Sequence, residues 1–470
     1  MIIINKYAKL VRCPPEFTEE IITEPVLFDK EDYLFRIKRL LERMKKHALT
    51  HIIIYADREH FSNLYHYTGF DSRFEESLFI LDADGNKSIL IGNEGMGYSY
   101  IIPYDIRRVL YQNFSLQGQP RDKLKRLSVL FRDAGIDTAS KVGVVGWKYF
   151  ETEHTGEPKY TFDLPAYILQ GLFDACPAEN VINFTAEIIG LPDGDRTRIY
   201  SAKEIVWAES AANRVAVYVQ RMLKALKPGC SEIDLSRSAA IDFEPANVFP
   251  MVSFGSENIA LGLGSPTTRR LRLGEPCKVC YSLRGNLTAR VGIAAYNPSD
   301  CINGLDKYLE SFFFRYWECV ASWYEALHIN CTGGDLYNAV HSRADTGNMN
   351  IALNPGHYIG TEEWLNSGSY ECSDVPILDG CLLQADIIGV SKANNELCAI
   401  CEDGVAIAGS ELRRSLRKDY PAVYERLLKR QEMMRLHLGI DLQDEVLPLS
   451  QLTGAYFPLM LNLDTVLRFE

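Results

Sequence analysis

The first 195 residues switch repeatedly between two hydrophobic periods. Residues 32–46 place Leu34, Ile37, Leu40, Leu41 and Met44 three or four apart, which predicts a helix with a solvated basic face. The apolar run 51–55 predicts a strand. Runs 78–81 and 88–91 flank Asp82-Ala-Asp-Gly-Asn86, a hairpin signal in which glycine can take the positive φ of the turn. A helix over 122–133 and a strand over 141–145 follow. This alternation predicts an α/β domain over 1–195, closed by the polar Pro192-Asp-Gly-Asp-Arg196.

The remaining chain, 196–470, reads differently. Ser201-Ala-Lys-Glu204 is a capping box, and Ile205, Ala208, Ala212, Val215, Val219, Met222, Leu223 and Leu226 continue one helical stripe until Pro228-Gly229. Strand-like runs occupy 248–254, 278–283, 289–296, 382–390 and 396–400. Helical patterns cover 305–327, 335–343 and a charged stretch, 411–435. Long helices beside consecutive strands indicate an α+β domain. The aromatic run Phe312-Phe-Phe-Arg-Tyr-Trp317 reads as a buried part of the helix.

Composition narrows the class. Hydrophobic residues are 47% and charged residues 24%, values that exclude a disordered or collagenous chain. Lysines and arginines number 50 against 62 acids, giving −12, and this spread acidic excess argues against nucleic acid as a partner. The N-terminal Ile run is too short for the core of a signal peptide, and no stretch approaches a membrane span. A cytoplasmic protein with no membrane partner and reduced cysteines is expected. Of the twelve cysteines, two pairs have CxxC spacing, Cys277/Cys280 and Cys398/Cys401. Both lie in strand-forming sequence, where positions i and i+3 face opposite ways, so core packing is expected rather than zinc.

From residue 200 onward the order of features resembles the pita-bread superfamily of creatinase, aminopeptidase P and methionine aminopeptidase. The residues that carry the resemblance are Lys203-Glu-Ile-Val-Trp-Ala-Glu-Ser-Ala-Ala212, Leu226-Lys-Pro-Gly-Cys-Ser-Glu-Ile233, Phe249-Pro250 with Gly255 and Asn258, and Leu273-Gly-Glu275. They continue through Pro355-Gly-His-Tyr-Ile-Gly360, Leu378-Asp-Gly380 and Cys401-Glu-Asp-Gly404. Phe35-Arg36 and Tyr67-Thr-Gly-Phe70 resemble the creatinase-type N-terminal domain. The implied fold is an α+β pita-bread domain preceded by that α/β domain, and homodimerisation is implied with it.

Peptidases of this family hold two metal ions with two strand aspartates, a histidine and two glutamates. The resemblance matches the histidine to His357, the first glutamate to Asp386 and the second to Glu402. The first aspartate position falls on Ser282, and no carboxylate occurs between Ser282 and Asp300. No metal is therefore expected, or at most one divalent ion (Mn, Co, Zn or Fe) at His357, Asp386 and Glu402. Arg284 and Arg290 stand close in sequence and would repel a metal but could grip a carboxylate or phosphate. The position of creatinase's catalytic histidine falls within Leu261-Gly-Leu-Gly-Ser-Pro266, which contains none. A second peptidase histidine falls on Trp364.

His357, Asp386 and Glu402 are accordingly the catalytic candidates, His357 as general base beside an acid. Ser282, Arg284, Arg290, Glu362 and Glu363 are the ligand-binding candidates. The plain alternative is a hydrogen-bonded core network, with Arg284 balancing the acids. His47, His51, His60, His66, His154, His328, His341 and His437 read as structural. Three functions are compatible with this pattern. One is a C–N hydrolase or lyase with a rebuilt centre that takes a small anionic molecule or short peptide; the others are a metal-dependent X-Pro aminopeptidase and a non-catalytic binding protein.

Overall fold

In the computed structural model, residues 6–152, 155–242 and 244–470 are described. The N-terminal Ile run and His154 lie outside them. The chain divides into two compact units: Leu27–Arg196, and Thr197–Glu470 together with the residues up to Val26. The division falls one residue past the expected boundary. The early residues join the second unit because β1 (Ala8–Arg12) pairs antiparallel with the last strand, β18 (Thr465–Phe469), a non-local pairing that periodicity does not reveal.

The Leu27–Arg196 unit carries the predicted helix as Lys30–Lys46. Its N-cap Asp29 accepts from the amides of Glu31 and Asp32, while Asp32 reaches back to the cap amide. Six strands follow: β2 (His51–Ala56), β3 (Ser77–Asp82), β4 (Lys87–Ile91), β5 (Arg107–Leu110), β6 (Val142–Val145) and β7 (Val181–Asn183). They form one sheet in the order β5-β4-β3-β2-β6-β7, with Phe131, Ile53, Leu78, Leu90 and Val144 in its core. The helix predicted from residue 122 begins only at Leu127.

The second unit is built around two sheets that share bent strands. Its strands are β8 (Ser253–Phe254), β9 (Pro276–Leu283), β10 (Asn286–Ile293), β11 (Met349–Ile351), β12 (His357–Tyr358), β13 (Cys381–Gln384), β14 (Ile388–Ser391), β15 (Cys398–Glu402), β16 (Gly404–Ile407) and β17 (Val446–Pro448). One sheet runs β11-β14-β15-β10-β9-β8 and the other β12-β13-β16-β17. The single strand predicted over 382–390 is interrupted at Ala385–Ile387, and β15 passes into β16 through Asp403. The Ala385 amide donates to the Asp403 carbonyl at 2.9 Å, so the two bends sit side by side.

Helix Ala202–Ala225 has the predicted capping box and packs with helix Arg315–Ala326 on one face of the first sheet. The helix expected over 305–327 is regular only from Arg315; a wider turn, Leu309–Phe314, precedes it. The charged helix expected over 411–435 breaks at Tyr420, where Pro421 starts a new one. Of the strand expected over 248–254, only Ser253–Phe254 pairs.

Register sets the faces. Cys280, Ala289 and Glu402 stand opposite one another across β9, β10 and β15, as do Val279, Arg290 and Cys401 one residue along. Opposed residues share a face, so Arg290 points to the helices and Glu402 away from them. Arg290 is 1% exposed and pairs with Asp403 at 2.8 Å. It also donates to the carbonyls of Ala289, Glu402, Leu452 and Ala455. Removing one partner of such a pair leaves a buried charge uncompensated. Arg290→Met is expected to lower unfolding stability by about 3–5 kcal/mol in urea denaturation; a loss below about 1 kcal/mol would contradict this role.

Candidate functional site

The face of the first sheet turned away from the helices lines a cavity of about 450 Å3. Its sheet-borne side chains follow from the register: Lys278 and Cys280 on β9, Leu287 and Ala289 on β10, Ile400 and Glu402 on β15, Ile388 and Val390 on β14. The polar end is built by Glu402, Asp386 from the first bend, and Glu363 with Trp364 from the segment after β12. His357 on β12 does not line the cavity itself; it is buried behind these acids, with its Nε2 turned to them.

The His357 ring is fixed on three sides. Its Nδ1 lies 3.1 Å from the Tyr358 carbonyl, which can only accept, so Nδ1 carries a hydrogen. Trp364 stacks on the ring with centroids 4.3 Å apart. Nε2 faces three carboxyl oxygens: Glu363 at 3.0 Å, Glu402 at 3.8 Å and Asp386 at 3.9 Å. None is aligned for a hydrogen bond, and Nε2, Asp386 Oδ1 and Glu402 Oε1 are all buried without a hydrogen-bond partner.

The electrostatics follow from this crowding. Burial by itself favours the neutral imidazole, but Glu363, Glu402 and Asp386 outweigh it and hold the His357 pKa well above its usual value. Burial pushes Asp386 up to about 6, with His357 pulling the other way. Burial and the neighbouring Asp386 push Glu402 well above the ordinary carboxyl range.

The backbone explains why these groups converge. The Asp386 carbonyl accepts from the Gly356 amide at 2.8 Å, which sets His357 one residue later. Gly356 has φ +86°, and a Cβ there would lie 2.8 Å from the Trp323 ring, so neither its conformation nor its space suits another residue. Tyr316 joins the two bends: its hydroxyl donates to the Ile387 carbonyl (2.8 Å) and accepts from the Cys401 amide (2.6 Å). Trp323 Nε1 donates to the Pro355 carbonyl at 3.0 Å.

The structure gathers His357, Asp386, Glu402 and Glu363 as expected, but not the other ligand-binding candidates. Arg290, expected at the site, points to the helix side and is consumed by Asp403 and four carbonyls. Ser282 is on the cavity face, yet its hydroxyl bonds both the amide and the carbonyl of Val248, each at 3.0 Å. Arg284 lies in the turn between β9 and β10, and neither it nor Glu362 lines the cavity. The residue that the sequence reading missed is Lys278. Period-two counting back from Ser282 reaches Cys280 and then Lys278 on the same face, so a signal existed. Tyr316 was noted only as part of an aromatic run.

The four cysteines of the CxxC pairs split as expected. Cys280 and Cys398 line the cavity, whereas Cys277 contacts Met460 and Cys401 contacts the Ala455 carbonyl. All twelve cysteines are free thiols.

For a cation, the donor set is decisive. His357, Glu363 and Glu402 each offer one ligand atom, all within 4.8 Å of one another. The buried, unpartnered Nε2 and carboxyl oxygens fit one divalent ion. They do not fit two, because the cavity-facing positions of β9 and β10 carry Lys278, Cys280, Leu287 and Ala289, none of them a carboxylate. Glu363 thus takes the place expected for Asp386 in the ligand group.

No family profile and no curated protein matches the chain. Solved structures do. A prolidase from Thermococcus sibiricus aligns with TM-score 0.61 and 15% identity over 81% of this chain and 95% of its own. An Xaa-Pro dipeptidase from Bacillus anthracis aligns at 0.59 and 14% over 81% and 96%, and an X-Pro aminopeptidase from Thermotoga maritima at 0.59 and 14% over 79% and 94%. At these identities the likeness establishes the fold. The chain has the two-part pita-bread fold of the creatinase and aminopeptidase P type, an α+β domain preceded by an α/β domain. No helix among the described residues is long and apolar enough to cross a membrane.

The charged imidazole gives a pH signature. A histidine whose folded pKa is raised stabilises fully below its unfolded pKa, and the contribution fades as pH rises through the folded value. His357→Gln, with chelator present, is therefore expected to lose most stability against the wild type below about pH 6.5, the gap narrowing in more alkaline buffer. Denaturant titrations across pH 5–9 read this; a gap that widens with pH would refute the charged state.

Proposed function

We propose that the cavity binds a small molecule or short peptide and that the His357 centre acts on it by proton transfer, in a hydrolase- or lyase-type reaction distinct from two-metal peptide hydrolysis. The observation that carries this reading is the set of three carboxyl groups lining one end of an apolar chamber, with Nε2 of His357 buried directly behind them. A histidine held protonated there is a general acid with a bound reservoir. The proton on Nε2 passes through a lining carboxyl to the leaving nitrogen or oxygen as its bond to carbon breaks, with water adding to that carbon in hydrolysis or an adjacent C–H giving up its proton in elimination, and Tyr358 keeps the ring oriented. Trp364 covers one ring face and excludes water from it. Asp386 and Glu402 share the role of holding the charge on His357.

The anionic character expected of the ligand no longer rests on Arg284 or Arg290. It rests on Lys278, considered below.

A one-metal variant of this reading is supported by the same unpartnered atoms. Bound by His357, Glu363 and Glu402, a divalent ion would supply an activated water. The peptide substrates of the prolidase and dipeptidase neighbours make X-Pro dipeptides the first compounds to test.

One measurement separates both readings from two-metal peptide hydrolysis. Protein purified without chelator and incubated with excess Mn2+, Co2+, Zn2+ or Fe2+ is expected to retain at most one equivalent, read by elemental analysis after desalting, and to leave X-Pro dipeptides uncleaved. Two retained equivalents with dipeptide hydrolysis would overturn the proposal.

A further inference from the structure

The cavity wall contains a buried cation that the proton-transfer reading does not use. Lys278 rises from β9 on the cavity face and is 6% exposed. Its ammonium donates to the Gly262 carbonyl at 2.8 Å and lies 4.0 Å from the Met251 sulfur. Among the described residues it forms no ion pair within 4.0 Å. A buried ammonium satisfied by one carbonyl and a thioether, with no counter-ion in contact, is expensive to maintain. It is the one Lys or Arg among the residues that line the chamber.

Its surroundings describe what would sit there. Met251, Ile259, Ile388, Val390 and Ile400 make the neighbouring wall apolar. The roof over Lys278 is the loop containing Gly262, which takes φ +68°, and Leu263, 73% exposed. Glu232 moors this loop at both ends by accepting from the Phe254 and Thr267 amides, each at 2.8 Å. The carbonyl now capping the ammonium thus belongs to an exposed loop tip, which a better acceptor can replace without disturbing the moorings. Lys278 is two positions along β9 from Cys280, the residue in line with Glu402, so about 7 Å separates its row from that of the acids.

We propose that Lys278 anchors the carboxylate of an amphipathic acid, one whose apolar chain lies along the Met251, Ile388 and Ile400 wall. The carboxylate replaces the Gly262 carbonyl on the ammonium. The part of the ligand that meets His357 lies a few bonds away, at the spacing of the two rows. This inference rests on the small-molecule reading of the cavity and specifies its substrate class: a monocarboxylate with an apolar body, in place of a polyanion or a free amine.

Octanoate, octan-1-ol and octylamine share one chain and differ in the head group, so calorimetric titration of the three isolates the anchor. Wild type is expected to bind octanoate at least about tenfold more tightly than octan-1-ol, the scale of a charged hydrogen bond. Octylamine should bind most weakly. Lys278→Gln should reduce octanoate to the level of octan-1-ol while leaving the alcohol unchanged, and Lys278→Arg should retain most of the preference. Equal binding of acid and alcohol by wild type, tightest binding of the amine, or equal weakening of acid and alcohol in Lys278→Gln would overturn the assignment. The wild-type comparison stands even if the glutamine variant fails to fold. Because it reads binding and no chemistry, it is also independent of metal content and of His357, so failure of the proton-transfer proposal is told apart from failure of this one.

Discussion

The site depends on one buried ion pair on the far side of the sheet from it. Arg290 and Asp403 face the helices, both shut off from solvent, and the guanidinium satisfies four carbonyls besides the carboxylate. Asp403 is the residue at which β15 bends into β16, so the pair holds that bend. The consequences pass by short steps: the Glu402 carbonyl is gripped by Arg290, the Asp403 carbonyl receives the Ala385 amide, and the Asp386 carbonyl receives the Gly356 amide. Glu402, Asp386 and His357 are each one residue from, or part of, this chain of bonds. A buried pair of this kind contributes little net stability compared with an apolar filling. What it supplies is direction: it satisfies backbone groups that a bent strand leaves without ladder partners.

Tyr316 does comparable work from the helix side. One hydroxyl bridges Ile387, the last residue of one bend, and Cys401, two residues before the other. It does not line the cavity, and it acts on the site only by positioning these bends. Like Arg290, it spends polar atoms of the helix-facing side on backbone groups at the bends.

Much of this was legible in the sequence, and the gaps have physical causes. The capping box at Ser201, the long helix it starts, the hairpin at Asp82 and the Glu402, Asp386 and His357 set all depend on local pattern or on motif order. The bends at Ala385–Ile387 and Asp403 were not legible, because an apolar run keeps the same hydrophobicity whether its strand is straight or broken. Arg290 was misplaced for a related reason. Its face depends on the pairing of β9 with β10, and a one-residue slip in that register reverses every side chain. Given the actual register, Ser282 pairs with Leu287, and the cavity face runs through Ala289, leaving Arg290 behind. Lys278 was overlooked because a lysine in an apolar strand reads as an edge or surface residue, and only the fold shows that its row ends in a chamber.

The same face assignment determines the charge balance of the site. Three carboxyl groups and an imidazole in a low-dielectric pocket cannot coexist without positive charge among them. In the family pattern, five ligating residues that include four carboxylates call for two dications. Here β9 and β10 turn Lys278, Cys280, Leu287 and Ala289 to the cavity, so the negative charge to be balanced is smaller. Burial raises Asp386 and Glu402, and the acids in turn raise His357, so the cluster holds protons more readily than its separate groups would. The gap between Nε2 and the carboxyl oxygens has the shape to admit one cation in exchange for the imidazole proton. Proton and metal ion thus compete for a single position, and pH governs which of them occupies it.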